Sequence, residues 1–455
     1  MAKKVYRGVA AVVLGLAVSL GAARADTLND ALRDAYVNSD LLEQNRYLLR
    51  IQDEGVAQQV AGLRPVVNFI ASRRWDRPTD VQTSTVGLTA DLLLFDNGGT
   101  RLAVEAARES VLAARQQLVG LESNVLLDAV SAYMDVWRDA QVVGVRESNV
   151  RVVTQQLRAA RDRFEVGEDT RTDVAQAEAQ LATARSNLAA ARGQLDISRQ
   201  LFEISVGRAP GALSGPGNTP ALPASEADAE ALARQNHPAI LALQHQVAAN
   251  QHNLEAARSD YGPTINLQAQ TTDTLSGRTT GRADVLTLSL TQPIYRGGRL
   301  FALERVALAT LSASQSELNQ QTRVNLQSVG NAYARLRIAS AQIQATDQGI
   351  RAAQIAFDGV REEASLGART TLDVLDAEQD LLDARIARIQ AQADLYTASY
   401  AVLSAAGLLT VEHLNLDVPS YDPQAYSDAF QNAPARLQSV QGDRLDSLMQ
   451  RIGRD

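Results

Sequence analysis

Two stretches decide the fold of this chain: EVGEDTRTDVAQAEAQLATAR at residues 165–185 and SLGARTTLDVLDAEQDLLDAR at residues 365–385. They are two copies of one segment, 200 positions apart, and they share these matched positions: Gly167 and Gly367, Thr170 and Thr370, Asp173 and Asp373, Ala177-Glu178 and Ala377-Glu378. Farther away, Tyr133 matches Tyr333 and Gly207 matches Gly407 in the same register. Solenoid repeats recur every ~20–50 residues, so this much longer period indicates one duplicated half and a pseudo-symmetric chain.

Each half is predicted to contain a helix, two strands, a very long helix and a shorter returning helix. Apolar residues at helical spacing predict helices at 27–62, 100–166 and 171–206, and again at 226–260, 299–364 and 370–406. At 1.5 Å per residue, the helix at 100–166 is about 100 Å long. A helix of that length needs neighbours along its whole length, because most helical stability comes from packing.

Two short segments in each half alternate apolar and polar residues, at 66–76 and 83–95 and at 263–274 and 285–295. In one of them Val86, Leu88 and Ala90 face one way and their polar neighbours the other. About ten residues with one apolar face are typical of outer-membrane strands, although a half-buried soluble hairpin has the same pattern. Four strands do not close a barrel, and open edges in lipid are costly. Membrane insertion would therefore require several copies, of which two supply eight strands and three supply twelve.

The N-terminus has the pattern of an export signal. Lys3, Lys4 and Arg7 precede an apolar run, and Ala23-Arg24-Ala25 supplies small residues for cleavage. We predict a signal peptide at 1–25; its removal takes away four cations and no acids, which moves the net charge from −8 to −12. An acidic exported chain without a basic patch is not suited to nucleic acid. The chain has no cysteine, and no later apolar run is long enough for a membrane helix, so any crossing would use strands.

No pattern in the sequence supports catalysis. Gly297-Gly298 lacks the third glycine of a dinucleotide loop, and no Ser/His/Asp or Walker-type arrangement occurs. His245 and His252 lie seven residues apart on one predicted helix, but no third metal ligand is evident, which favours a solvated helix face. We therefore predict no enzymatic activity, no cofactor and no resident metal.

The two halves resemble the TolC family of outer-membrane efflux and secretion proteins. The resemblance rests on GEDTRTDVAQAE (167–178), GARTTLDVLDAE (367–378), LLLFDNGG (92–99) and QPIYRGG (292–298). It implies a mainly α chain with a small β part, which assembles as a trimer with a twelve-stranded outer-membrane barrel and a twelve-helix periplasmic barrel. The implied organisation is a signal peptide at 1–25, a first repeat at 26–207, a linker in an equatorial belt at 208–225, a second repeat at 226–409 and a polar tail at 410–455.

The resemblance also implies a gate at the periplasmic helix tips, where the family's aspartate ring falls on Asp373 and Asp376. These two residues lie on one helix face, and three copies would place six carboxylates around an axis, which attracts cations. A simpler interpretation of Asp373 is an acid in the first turn that caps the helix beginning near Thr370. Asp173 in the first half is expected to have this simpler role.

The family further closes its gate by polar links between neighbouring helix pairs, and these fall on Thr172, Asp173 and Arg369. The family's tyrosine partner is replaced here by Ala364, so one link of that network is absent. An exposed Arg–Asp link contributes only about 0–1 kcal/mol, which suits a latch that must open. The resemblance places the adaptor-docking tips at Gly167 and Gly367.

The leading hypothesis is a passive exit duct in outer-membrane lipid that extends into the periplasm. It would serve type I protein secretion, multidrug efflux or both, with a periplasmic adaptor (membrane fusion) protein and an inner-membrane ABC or proton-driven transporter that supplies the energy. The alternative is a periplasmic coiled-coil adaptor or scaffold without its own pore. An adaptor should carry lipoyl-like and barrel-like β segments around one helical hairpin, whereas this chain has two hairpins, each preceded by a strand pair.

Overall fold

The structure, a computed structural model, describes residues 26–168 and 170–419. The predicted signal peptide at 1–25 and the part of the predicted tail from 420 onward lie outside the described residues. Within them the chain is mainly helical, with one small antiparallel sheet. The first half contains α1 Leu28–Asn38, α2 Asp40–Ala61, β1 Val66–Asp76, β2 Val81–Phe95, α3 Gly99–Glu165 and α4 Arg171–Val206. The second half contains α5 Glu226–Asn236, α6 Pro238–Ser259, β3 Thr264–Ser276, β4 Gly281–Thr291, α7 Arg299–Ser365 and α8 Thr371–Ala405.

The first helix of each half is broken in two, so the prediction of one continuous helix at 27–62 and another at 226–260 was wrong. The break falls at Ser39, whose backbone is extended and whose hydroxyl accepts a bond from the Leu42 amide at 3.3 Å. In the second half the break falls at His237, because this residue precedes Pro238 and the residue before a proline avoids the helical conformation. Its Nδ1 accepts from the Ala239 amide at 3.2 Å. A one-residue break is missed by sequence periodicity because the apolar pattern continues across it.

The four strands form one sheet in the order β1-β2-β3-β4, with every neighbouring pair antiparallel. The β2–β3 pair joins the two halves of the chain, and β1 and β4 lie at the edges. The last strand was predicted at 285–295 but spans Gly281–Thr291. Pro293 explains the earlier end, because proline has no amide hydrogen to donate to a neighbouring strand.

The two longest helices, α3 and α7, contain 67 residues each. Each begins after a glycine in the left-handed conformation, Gly98 at φ 87° and Gly298 at φ 82°, which other residues adopt only with strain. Helix α4 returns along α3 and α8 returns along α7, so each half ends in a long helical hairpin. None of the described helices is apolar enough over a sufficient length to cross a membrane.

The main core lies midway along α3, where α1, α4, α8 and the linker between the repeats meet. Tyr133 and Phe202 are fully buried there, with ring centroids 6.5 Å apart. The Tyr133 hydroxyl donates to the carbonyl oxygens of Asp26 at 2.9 Å and Ser214 at 2.8 Å. Its repeat partner Tyr333 donates to a linker carbonyl in the same way. The duplicated tyrosines therefore bind the non-repeated linker to both long helices.

Candidate gate at the helix tips

Each returning helix begins with the same reciprocal cap. In the first hairpin the Asp173 carboxylate accepts from the Thr170 amide at 2.9 Å and hydroxyl at 2.7 Å, and the Asp173 amide donates back to the Thr170 hydroxyl. Asp373 and Thr370 repeat these bonds at 2.9 and 2.8 Å. The bonds follow from the T-x-x-D spacing, which satisfies amides left free at a helix start. They hold the pKa of both carboxyls below the usual value, so both remain ionised.

Asp373 can cap α8 and still contribute a negative charge to the proposed aspartate ring. Both cap bonds to its carboxylate end on the Oδ2 atom, and the group keeps its negative charge. Asp376 lies almost one turn farther along α8, is exposed, and makes no side-chain bond with another described residue. The two carboxylates thus share one region of the helix, one fixed by the cap and the other free to face solvent.

The two hairpin tips border a common cavity of about 950 Å³. Asp173 and Arg369 both line it, from neighbouring hairpins, but they form no ion pair within the chain. Arg369 instead donates from Nε to Glu363 of its own hairpin at 2.9 Å, and both side chains are about half exposed. Thr172 is exposed beside Asp173. Of the three residues predicted for the latch, Asp173 and Arg369 thus line one cavity without being linked inside a single chain, and Thr172 is not part of its lining.

The sequence identifies Glu378 only as a repeat match, whereas the structure places it in the interface between α8 and α3. It is 7% exposed, and its Oε1 accepts a hydrogen bond from the side-chain amide Nδ2 of Asn149 at 3.2 Å. Its Oε2 is buried without a partner among the described residues. Burial raises the pKa of this carboxyl to about 7. Its helical spacing from the buried Leu375 and Leu382 could have predicted this position.

The matching glutamate of the first repeat has a different environment. Glu178 is exposed and accepts from Arg161 at 2.5 Å. The difference arises because α8 packs against α3 of the other repeat as well as against α7, whereas in the described part of the chain α4 makes only small contacts, with α1 and α8, besides its packing on α3.

The histidines do not form a metal site. His245 Nδ1 lies 2.8 Å from a Glu109 carboxylate oxygen, and His252 Nδ1 is buried without a hydrogen-bond partner in the described part of the chain. No group of three or more potential metal ligands occurs within residues 26–168 and 170–419.

Two hairpins of very long helices, a sheet with two open edges and capped tips at the opposite end define a class of protein: the subunit of an outer-membrane channel. The chain belongs to the outer membrane efflux protein family. The family profile described as "Outer membrane efflux protein" matches residues 31–207 and 231–408, one match for each repeat. The resemblance drawn from the repeated tip segments is therefore confirmed. The family consists of channel proteins and not enzymes, which confirms the predicted lack of enzymatic activity.

Individual relatives agree with this assignment. The chain is 39% identical over 441 residues to the outer membrane efflux protein BepC of Brucella suis, covering 95% of this chain and 97% of BepC. It is 26% identical to the alkaline protease secretion protein AprF of Pseudomonas aeruginosa, covering 75% and 73% of the two chains. The solved structure of the outer membrane protein VceC of Vibrio cholerae matches with a TM-score of 0.73 at 21% identity, covering 84% and 96%. That last likeness concerns the fold alone.

Proposed function

We propose that the protein is one subunit of a trimeric exit duct that crosses the outer membrane and continues into the periplasm. The observation that carries this proposal is the four-stranded sheet, which has two open edges and one apolar face. Among the strands of residues 26–168 and 170–419, β1 is bonded only to β2, and β4 only to β3. Joining β4 of one copy to β1 of the next satisfies both edges, and three copies close a barrel of twelve strands.

The strand register collects the apolar side chains on a single face. Val67, Ala90, Ala269 and Leu286 form one row across the four strands, and Leu92, Leu267 and Leu288 belong to another. Phe69, Leu286 and Leu288 are 70%, 73% and 66% exposed in the single chain. A face of this kind suits lipid, while the alternate rows carry polar residues suited to a water-filled interior.

Exposed apolar side chains on the long helices support assembly as well. Ile197, Leu201 and Ile204 form an exposed stripe on one side of α4, at helical spacing. Ile338 and Ile355 are similarly exposed on α7. Such surface is rarely left in water, and the neighbouring hairpins of a closed helical barrel would cover it. The family match over both repeats favours this channel over the alternative of a periplasmic adaptor.

The proposed duct opens and closes at the helix tips. Asp373 and Asp376 would ring the constriction, and Thr172, Asp173 and Arg369 would link hairpins of neighbouring copies. Gly167 and Gly367 lie in the two tips, next to the strongly exposed Val166 and Leu366, which would dock a periplasmic adaptor. Because the chain has no nucleotide-binding pattern, an inner-membrane transporter would supply the energy. AprF is named for protease secretion, and another relative, the cation efflux system protein CusC of Escherichia coli, for cation efflux. Family membership alone therefore leaves secretion and efflux both open.

The test compares two adjacent residues on opposite faces of β4. We expect Leu286→Asp to abolish insertion of trimers into the outer membrane, because it places a charge against lipid. Thr287→Asp lies on the polar face and should insert normally. The readouts are cross-linked trimers in the outer-membrane fraction and conductance in planar bilayers. A wild-type protein that inserts as a monomer, or two variants that behave alike, would refute the proposed barrel.

A further inference from the structure

At the end of the sheet away from the helices, the two strand turns enclose a groove of about 590 Å³. The turns lie between β1 and β2 and between β3 and β4. Two arginines line the groove, Arg74 from β1 and Arg278 from the second turn, together with six hydroxyl side chains and one carboxylate, Asp76. We call this site the outer groove. Its hydroxyls include Ser72 and Thr85, whose oxygens lie 2.7 Å apart.

The strand register places the outer groove on the polar face of the sheet. Arg74 is paired with Thr83, and Ser72 with Thr85, which is itself paired with Thr274 of β3. Because successive residues of a strand point to opposite faces, Arg73 lies on the other face, with Val67 and Phe69. In the duct proposed above, on which this inference rests, the outer groove therefore opens into the interior at the extracellular mouth.

Both arginines of the outer groove lack an internal partner. Neither Arg74 nor Arg278 makes a hydrogen bond or ion pair with another described residue. The other arginines at this end of the sheet are engaged. Arg73 donates to Gln82, Arg282 pairs with Asp284 at 3.0 Å, and the Arg77 guanidinium lies over the Trp75 ring. Among the described residues of the two strand turns, free cationic groups are thus confined to the outer groove.

The acids nearby do not neutralise this charge. Asp80 accepts from the Trp75 indole at 3.2 Å, and Asp284 is held by Arg282 on the apolar face. Asp76 is the one carboxylate that lines the outer groove. Each chain therefore contributes one net positive charge to the groove, and a trimer contributes a ring of such charges.

We propose that the outer groove binds oxyanions of the phosphate class at the extracellular mouth of the duct. A guanidinium group offers a planar fork of donors that matches phosphate oxygens, and the surrounding hydroxyls can donate to the remaining oxygens. The duct is then electrically asymmetric, with carboxylates at the periplasmic tips and arginines at the outer mouth. A multivalent anion in the external medium should bind at the mouth and obstruct the flow of ions.

The experiment uses the full-length protein in bilayers of zwitterionic lipid, with inorganic tripolyphosphate as the probe. We expect block of the wild-type channel when tripolyphosphate is added on the side of the strand turns. In the double variant Arg74→Gln/Arg278→Gln the half-blocking concentration should rise about tenfold or more, because bonds to charged groups are lost. Arg73→Gln is the matched control, and tripolyphosphate should block it at the same concentration as the wild type. Equal block in the double variant and the wild type overturns the proposal, as does loss of block in Arg73→Gln.

Two further measurements test the interior location of the groove and the binding step itself. Bilayers that contain lipopolysaccharide, without tripolyphosphate, test whether lipid-borne phosphate reaches the site; a site inside the duct predicts no block, and block there contradicts the interior location. Calorimetric titration of the detergent-solubilised protein tests binding without conductance. If the wild type forms no channel, the proposed duct fails, while binding that depends on Arg74 and Arg278 still supports the anion site. Absence of binding in the wild type overturns it.

Discussion

Replacement of Glu378 by glutamine tests the link between burial and the pH dependence of stability. Its carboxyl has a pKa of about 7 in the folded protein, against an ordinary value of 4.5. Between these two values the folded protein holds a proton that the unfolded chain has already released. The free energy of unfolding must therefore fall as pH rises from 4.5 to 7 and stay low above 7. The full difference is about 3 kcal/mol per chain.

We expect the Glu378→Gln protein to lack this loss. Glutamine has the same shape, keeps an oxygen for the Asn149 amide, and carries no charge at any pH. The other groups that face the carboxyl are the neutral side-chain amide of Asn149 on α3 and the cationic guanidinium of Arg385 on α8. At pH 8 the variant should be more stable than the wild type by about 3 kcal/mol per chain, and at pH 4.5 the two should agree within about 0.5 kcal/mol.

The assay is denaturant unfolding of the detergent-solubilised protein at a series of pH values from 4.5 to 8. Other groups also have shifted pKa values, among them the buried Asp53, whose pKa is raised to about 6, so the wild-type curve alone mixes several contributions. Subtracting the free energy of unfolding of the wild type from that of Glu378→Gln at each pH removes the contributions that the two proteins share, including that of Asp53. Glu178→Gln is the matched control, an exposed salt-bridge partner whose loss should cost about 0–1 kcal/mol without changing the slope. Parallel curves for Glu378→Gln and the wild type would show that this carboxyl titrates normally, and would refute the raised pKa.

Three further predictions concern the tips and the linker. Asp376→Asn should reduce the cation preference measured in planar bilayers with no measurable loss of stability. Asp373→Asn should reduce it too, and should also lower the free energy of unfolding by about 1 kcal/mol because it weakens a helix cap. Unchanged selectivity in both variants would place these carboxylates outside the channel. Arg369→Ser should raise the resting conductance while leaving the free energy of unfolding within about 1 kcal/mol of the wild type; unchanged conductance would argue against a latch. Tyr133→Phe and Tyr333→Phe should each lower that free energy by about 1 kcal/mol, because each removes a hydrogen bond to a partly buried linker carbonyl. No change would mean that the linker is held by packing alone.

The features that depend on local sequence could be predicted. An acid in the first turn of each returning helix predicted the caps at Asp173 and Asp373, and regular apolar spacing predicted the long helices α3 and α7. The element boundaries were less accurate where one residue decides them. Ser39 ends a helix only because its side chain bonds the next helix, and Pro293 ends β4 before the alternating pattern stops.

The features that depend on which surfaces meet could not be predicted in the same way. Glu178 and Glu378 match in the repeat, yet one is solvated and the other buried, because α8 is covered by α3 as well as by its hairpin partner α7, whereas α4 packs mainly on α3. Arg369 could be placed at the tip but its partner within the chain could not, since its guanidinium pairs with Glu363 of its own hairpin and not with Asp173. A repeat in sequence therefore predicts a repeat in backbone, whereas the charge state of each copy follows from its own neighbours.

Helix α3 extends far beyond its packed core, so a small tilt at the core moves the end of the helix by a larger distance. Tyr133, in the core, and Glu165, at the end of the helix, are separated by 32 residues, which is about 48 Å of helix. If α3 pivots at the buried Tyr133, a tilt of the helix by about 5° displaces its end by about 4 Å, the width of a side chain. A change in packing too small to disturb the core is thus amplified into a displacement comparable to the tip contacts themselves. In the proposed duct, the linker that hydrogen-bonds to this tyrosine would lie where a small movement produces the largest displacement of the tips.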